Sequence, residues 1–183
     1  MLPLPHSATP DDPVDAITGA WQRERPGMPV GGMQVVTRVW QLAKLFGDTR
    51  RRVVAEQGAD FATLDLLSTL RRAGPPYQLS TRELARQSMV TAGAISQRLT
   101  RAERDGLVER TRSLVGPTVM VTLLDAGHDL VDRLVGQVAA TDEDLLISLS
   151  AGQRDALDAL LRIVLADLNK RYGSSAVSHV GDE

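Results

Sequence analysis

Two short helical segments, each opened by a capping residue, follow one another before residue 107 and constrain the fold most. Ser80 and Glu83 have the spacing of a capping box, and Thr91 has the side chain of a helix N-cap in front of the second segment, AGAISQRLTRAERD. Gly106 ends that segment as a residue that accepts left-handed backbone. The pattern predicts two helices joined by a short turn.

A β-hairpin is predicted directly after these helices, over the stretch LVERTRSLVGPTVMVTLL at residues 107–124. Val108, Val119 and Val121 lie among Thr and Ser residues, and Gly116-Pro117 is a turn dipeptide between the two runs. Helical patterns flank this unit at residues 13–25, 33–56, 61–73, 125–138 and 150–172. We therefore predict a mainly α fold with a two-stranded β-wing, a winged helix-turn-helix in an α-helical dimerisation frame.

Breaks in these patterns divide the chain into five predicted regions. The stretch GPPYQL at 74–79 interrupts the helical pattern, and TDEDLLISL at 141–149 is a short acidic segment between the last two helices. Asp125 is predicted to cap the helix after the hairpin. The regions are a disordered tail at 1–12, N-terminal helices on the dimerisation and ligand side at 13–58, the winged helix-turn-helix module at 59–124, C-terminal dimerisation helices at 125–173 and a disordered tail at 174–183.

The first and last long helices carry more apolar residues than one buried stripe needs. The first includes Val35, Val36, Val39, Trp40, Leu42 and Leu45, and the last includes Leu157, Leu160, Leu161, Ile163, Val164 and Leu168. Because the two helices lie far apart in sequence, a dimer interface built from both ends of the chain accounts for both most simply. The sequence therefore predicts a homodimer.

The distribution of charge matters more than the net charge of −2, which alone argues against binding to a polyanion. Residues 71–112 contain nine arginines and four acidic residues, a local excess of five positive charges between acidic or neutral flanks. A basic module of this kind is a footprint for a polyanion such as nucleic acid. The remaining parts of the chain are predicted not to take part in that contact.

Catalysis is disfavoured by the kinds of residue that the chain lacks. There is no cysteine, and the three histidines, His6, His128 and His179, are too scattered for a metal triad or a Ser/His/Asp site. Gly31-Gly32 lacks the preceding strand of a phosphate-binding loop. We predict no catalytic residue, no metal site and no cofactor.

The location of the protein is predicted from two further absences. No apolar run approaches the length of a membrane span, and the start MLPLPHSATPDD lacks the pattern of a signal peptide. We expect a cytoplasmic protein that does not bind membranes.

The stretch LSTRELARQSMVTAGAISQRLTRAERDGLVERT resembles the MarR family of bacterial transcriptional regulators. The matching residues are Leu84-Ala85 in the first short helix, Ile95-Ser96 and Arg98-Leu99 in the second, and the run GLVER at 106–110. The order and lengths of the elements agree from about residue 61 to residue 127. The resemblance implies a homodimer that binds double-stranded DNA, with each recognition helix in a major groove and each wing near a minor groove.

The resemblance also implies which residues contact DNA. The start of the first short helix and the exposed start of the recognition helix face the groove, and arginines further along hold phosphates. The predicted DNA-binding residues are Ser80, Thr81, Thr91, Ala92, Gly93, Ser96, Gln97, Arg101, Arg104, Arg110 and Arg112. For Arg101 and Arg104, a solvated helix face paired with Glu103 or Asp105 is the alternative interpretation.

The wing departs from the family pattern. Family members usually carry an acidic residue and one or two arginines at the wing tip, whereas this chain has SLVGPTVMV there. We therefore expect Arg110 and Arg112 at the wing base to replace the tip as phosphate contacts. The apolar tip also keeps open a different function, a winged helix that binds protein and has little sequence-specific affinity for DNA.

A second resemblance concerns a ligand. The urate-responsive branch of the family has an extra N-terminal helix and a set of Trp, Asp and two Arg, and Trp21, Asp65, Arg98 and Arg110 stand in the matching places; WQRERP is similar to actinobacterial relatives that sense aconitate or citrate. The resemblance implies a repressor that releases a pseudo-palindromic operator when a small carboxylate, urate-like or phenolic anion binds these residues. Alternatively, Trp21 anchors the extra helix, Asp65 fixes an arginine, and Arg110 contacts a phosphate.

Overall fold

The computed structural model describes residues 12–88, 90–112 and 118–173, and it confirms the predicted fold class. The chain is mainly helical with one small antiparallel sheet. In chain order, the elements are α1 (Pro13–Glu24), α2 (Gly31–Glu56), α3 (Phe61–Arg72), β1 (Gln78–Ser80), α4 (Thr81–Gln87), α5 (Ala92–Arg104), β2 (Val108–Arg112), β3 (Val119–Leu123), α6 (Asp125–Leu145) and α7 (Ala151–Tyr172).

The chain divides into two compact units, Met1–Phe46 and Gly47–Glu183, with the boundary inside α2. In the first unit, Asp12 caps α1 by accepting a hydrogen bond from the Val14 amide at 2.8 Å, as the Asp-Pro sequence indicates. The same carboxylate accepts from Nε of Arg38 at 2.7 Å, and Asp15 accepts from Nη2 at 2.6 Å. The ion pairs of Arg38 therefore link α1 to α2 inside this unit.

The core of the second unit joins helices α3 to α6 to the sheet. Its fully buried side chains include the leucines of α3 that the periodicity of FATLDLLSTL predicts to face inward. These residues pack with side chains from α4, α5, both long strands and α6. The buried cluster consists of Leu66, Leu67, Leu70, Leu84, Ile95, Leu99, Ala102, Val108, Val121, Leu123 and Val131.

The sheet has three strands in the order β1-β3-β2, one more than predicted. β2 and β3 form the predicted hairpin, with Val108 opposite Leu123 and Arg112 opposite Val119. β1 adds three residues to the other edge of β3 and pairs Gln78 with Thr122. The stretch GPPYQL indicates only a break in the sequence pattern, because three residues after a turn are too few to show an alternating pattern.

The helix caps agree with the sequence in most places. Asp60, Thr91 and Ser150 cap α3, α5 and α7, and Gly106 has the positive φ of 70° expected after a helix end. Only one of the two hydrogen bonds of the predicted capping box at Ser80 is present. Ser80 Oγ accepts from the Glu83 amide at 3.1 Å, but the Glu83 carboxylate accepts from Arg86 and Gln87.

Two predictions about α6 are wrong. The N-cap of α6 is Leu124, no side chain in the described residues caps it, and Asp125 is the first helical residue. The acidic segment also continues α6 to Leu145, where a separate piece was predicted. Two of its three acidic side chains are paired: Asp142 accepts from Nε of Arg50 at 2.7 Å, and Glu143 pairs with Arg154.

Candidate nucleic-acid interface

Helix α5 presents one buried face and one exposed face. Ile95, Leu99 and Ala102 are buried and fix the helix in the core. Thr91 Oγ1 caps the helix by accepting from the Ala94 amide at 3.2 Å. The exposed face begins with the predicted DNA-contacting residues Thr91, Ala92, Gly93, Ser96 and Gln97, all of which the structure leaves accessible.

The predicted contacts at the start of α4 are less open. Ser80 and Thr81 are partly buried, and the Ser80 hydroxyl is already used as the cap of α4. Arg82, which follows them, is exposed and makes no side-chain hydrogen bond or ion pair within the described residues. Sequence reasoning missed Arg82, although its place one residue after a predicted contact was a usable signal.

Two grooves border α5. One has a volume of about 390 Å³ and runs along the outer face of the helix, lined by Ser96, Gln97, Thr100, Arg101 and Arg104. The other, also about 390 Å³, lies between α4, α5 and the sheet. Its polar lining is Thr81, Arg82, Ser96 and Arg110, and its apolar lining is Ala85, Ala92, Ile95, Leu99 and Val119. Ser96 borders both grooves, so polar side chains surround α5 on two sides.

The predicted phosphate contacts are mostly engaged in ion pairs within the chain. Arg101 pairs with Asp60, and Arg104 pairs with Asp105 at 3.0 Å. Arg110 donates to Glu103 through Nε at 2.9 Å and through its backbone amide at 3.3 Å. The alternative interpretation thus holds for Arg104, which pairs with Asp105, whereas the partner of Arg101 is Asp60, the N-cap of α3, and not Glu103 or Asp105.

The ion pairs shift the pKa values of two carboxyls in the same direction. Hydrogen bonds from the Arg110 guanidinium hold the pKa of Glu103 below its ordinary value. Partial burial raises the pKa of Asp60, but hydrogen bonds from Thr63 and the nearby Arg101 outweigh that effect and leave it lowered. Both carboxylates are therefore ionised at neutral pH and keep their arginine partners.

The base of the wing carries one of the predicted phosphate contacts. Arg112 ends β2, is exposed, and makes no side-chain hydrogen bond or ion pair with any described residue. The predicted apolar tip at 113–117 lies outside the described residues. Arg112 and Arg82 are thus two arginines near α5 that have no internal partner in the described part of the chain.

The predicted ligand set is brought together only in part. Arg98 Nη1 donates to Asp65 Oδ2 at 3.0 Å, and the two side chains are only 18% and 14% exposed. Arg110 pairs with Glu103 instead and lines the groove between α4 and α5. Trp21 belongs to the first unit, where it is 43% exposed on α1. The structure thus joins Asp65 to Arg98, in agreement with the alternative interpretation of Asp65 as a residue that fixes an arginine.

Two long helices expose apolar side chains. All residues of α7 lie in the described part of the chain, and none is buried. Leu160, Ile163 and Val164 are more than half exposed, and the α2 residues Val35 and Trp40 are 63% and 76% exposed. Apolar surface of this extent is typical of helices that are covered by a partner.

The described part of the chain contains neither a metal site nor a membrane-spanning helix. Within residues 12–88, 90–112 and 118–173, no three His, Cys, Asp or Glu side chains are placed to hold a metal ion. None of the helices described is long and apolar enough to cross a membrane.

Comparisons with known proteins agree with this geometry. The family model for the MarR family matches residues 57–114, which span α3 to β2. Over these residues, the chain is similar to the MarR family. The regulator PecS of Dickeya dadantii (strain 3937) is 29% identical over 150 residues, covering 81% of this chain and 90% of that protein.

Solved MarR-family structures have the same fold. Sco3205 of Streptomyces coelicolor, crystallised in complex with DNA, superimposes with a TM-score of 0.63 at 24% identity and covers 75% of this chain and 92% of its own. AbsC of the same organism has a TM-score of 0.65 at 16% identity and covers 78% and 97%. The matching family comprises transcriptional regulators, in agreement with the prediction that the chain is not an enzyme.

Proposed function

We propose that this MarR-type chain is a DNA-binding transcriptional regulator, a homodimeric repressor that a small anionic effector releases from a pseudo-palindromic operator. The observation that carries the proposal is the exposed face of α5, which the core holds rigidly from its other side. A rigid helix that presents short polar side chains next to a β-wing is suited to enter a major groove.

The roles of individual residues follow from their chemistry. Thr91, Ser96 and Gln97 offer hydrogen-bonding groups to base edges, while Ala92 and Gly93 allow close approach of the helix start. Arg82 and Arg112, whose guanidiniums have no partner among the described residues, are available to phosphates. The remaining proposed contacts, Ser80, Thr81, Arg101, Arg104 and Arg110, would have to exchange or share their present partners.

A dimer provides the cover that the exposed apolar helices need. We propose that α7 and α2 of one protomer pack against the same helices of its partner, since both present wide apolar surfaces. Two recognition helices related by a two-fold axis would contact two half-sites about one helical turn of DNA apart. This symmetry is why a pseudo-palindromic operator is expected.

The effector proposal rests on the ion pair between α3 and α5. The Asp65–Arg98 pair is largely shielded from water. Because Arg98 lies on α5, an anion that competes with Asp65 for Arg98 would act directly on the recognition helix. Arg110 would supply a second guanidinium for the anion, as the resemblance to the urate-responsive branch implies. Released from Asp65, α5 would leave the position that suits the major groove.

A titration by fluorescence anisotropy tests DNA binding. A labelled duplex from the region upstream of the chain's own gene is titrated at several salt concentrations, and the mass of the free protein is measured by light scattering. We expect tight, salt-dependent binding and a mass twice 19.8 kDa. Absence of any binding at low salt would favour the alternative function, a winged helix that binds another protein.

The same titration with urate, citrate, aconitate or salicylate tests the effector. One of these anions should weaken DNA binding by the unmodified chain, and R98A should abolish that response. An R98A variant that binds DNA normally and is released normally would refute the coupling through Arg98. R133A, which removes an exposed arginine from α6, is the matched control.

A further inference from the structure

Asp60 uses its two carboxylate oxygens for two different tasks. Oδ1 accepts a hydrogen bond from the Thr63 amide at 2.8 Å and so caps α3. Oδ2 accepts from Nη1 of Arg101, which lies 41 residues further along the chain on α5. The cap is a local feature of α3, whereas the ion pair reaches across to the helix that we propose to enter DNA.

The ion pair lies at the surface, where another anion can reach it. The side chains of Arg101 and Asp60 are 56% and 45% exposed. Arg101 lines the groove along the outer face of α5, together with Ser96, Gln97 and Arg104. It also lines a cavity of about 540 Å³ that contains Asp60, Thr63 and Asp105. Arg101 therefore borders both the proposed DNA-binding face and the cavity lined by Asp60, its ion-pair partner.

We propose that Asp60 is an intramolecular competitor for the DNA phosphate that Arg101 would bind, and so sets the affinity of the chain for DNA. The inference rests on the proposed function. In the free protein, the carboxylate neutralises Arg101. In the complex, a phosphate must take over Nη1 or share Arg101 with a carboxylate that repels it. The competition lowers affinity for any duplex, because phosphate contacts do not depend on base sequence.

The expected size of the effect follows from the exposure of the pair. Exposed ion pairs contribute little, and competition from such a pair is expected to weaken DNA binding by about 2- to 5-fold per protomer. A neutralised arginine also releases fewer counterions from DNA. Removing the competitor is therefore expected to steepen the dependence of log K on log salt concentration by up to about 0.9 for each phosphate gained.

The two tasks of Asp60 can be separated by substitution. Asn caps helices as well as Asp does, so D60N keeps an acceptor for the Thr63 amide but removes the charge that holds Arg101. D60S is a second capping variant with a shorter side chain. The matched control is D158N, which also removes one negative charge and frees an exposed arginine, Arg162, on α7. Thermal unfolding checks that each variant is folded.

Binding to one labelled duplex is measured for the unmodified chain, D60N, D158N, R101A and the double variant D60N/R101A across a salt series. We expect D60N, which removes the competitor from both protomers of the proposed dimer, to bind about 4- to 25-fold more tightly than the unmodified chain, with a steeper salt dependence, and D158N to change affinity less. In the R101A background, D60N should have little effect, because Arg101 is the residue through which Asp60 acts.

Three outcomes would overturn the inference. Unchanged or weaker binding by D60N would show that the pair does not compete with DNA. An equal gain in D60N and D158N, or a gain that persists in R101A, would show an effect of net charge alone. If the unmodified chain bound no DNA even at low salt, both this inference and the proposed function would fail, whereas the first two outcomes leave the proposed function intact.

Discussion

Replacement of Gly127 by Ala should destabilise the second unit, although Ala is the better helix former. Gly127 is buried in the first turn of α6, where a Cβ atom would lie 2.2 Å from the Leu107 carbonyl oxygen and 2.7 Å from Leu123 Cδ1. Real Cβ atoms essentially never approach closer than 3.0 Å. The carbonyl cannot easily turn away, because it accepts a hydrogen bond from the Leu124 amide at 3.0 Å.

The magnitude combines two opposing effects. Overpacking a close contact costs about 1–3 kcal/mol, and the helix propensity of Ala returns up to about 1 kcal/mol. We expect a net loss of about 1–2 kcal/mol in the free energy of unfolding. For a chain of this size, each kcal/mol corresponds to about 2–4 °C, so the melting temperature should fall by about 2–8 °C.

The matched control is G136A on the same helix. A Cβ atom at Gly136 would meet no atom within 4 Å, so this variant should gain about 0.5–1 kcal/mol from helix propensity alone. Thermal unfolding of both variants is followed by circular dichroism at one protein concentration, because dimer formation makes the midpoint depend on concentration. A G127A variant as stable as G136A would refute the close packing of α6 against the base of the hairpin.

Three further changes test other parts of the molecule. S88A should raise stability by up to about 1 kcal/mol in urea unfolding, because the buried Ser88 hydroxyl has no hydrogen-bond partner among the described residues. Hydrogen bonds from Arg86 and then Gln87 lower the pKa of Glu83 from 4.5 to about 2. Their stabilisation is present above pH 4.5 and lost as the pH falls towards 2, so the melting temperatures of E83Q and the unmodified chain should converge over that range. Finally, R112A should weaken DNA binding more than shortening the wing tip at 114–116, measured by anisotropy at fixed salt.

The sequence predicts local features of this fold well, because they depend on neighbours in the chain. The exposed and buried faces of α5 follow from a period of 3.6 residues, and the caps of α3 and α5 follow from Asp60 and Thr91. The strand β1 was missed because its pairing with β3 is a contact between residues 44 positions apart, such as Gln78 and Thr122. The length of α6 was missed because the partners of its acidic end are distant in sequence.

The candidate site shows the same division between residue type and partner. The sequence shows which arginines lie on the recognition helix and the hairpin, but it does not show which carboxylates pair with them. Arg98 and Arg101 pair with Asp65 and Asp60 across 33 and 41 residues. Only the folded chain brings these carboxylates to α5, and the pattern within either segment does not identify which arginine each carboxylate pairs with.

The carboxylate partners of the arginines reduce the positive charge that the module can offer to DNA. The basic window at 71–112 has five excess positive charges, but Asp60 and Asp65 lie just outside it in sequence and inside the same module in space. Extending the window to residue 60 leaves an excess of three. Arg98 is held by a shielded partner, whereas Arg101 is held by an exposed one that a phosphate can displace. The charge available to DNA is therefore set less by how many arginines the module has than by which of their partners can be exchanged.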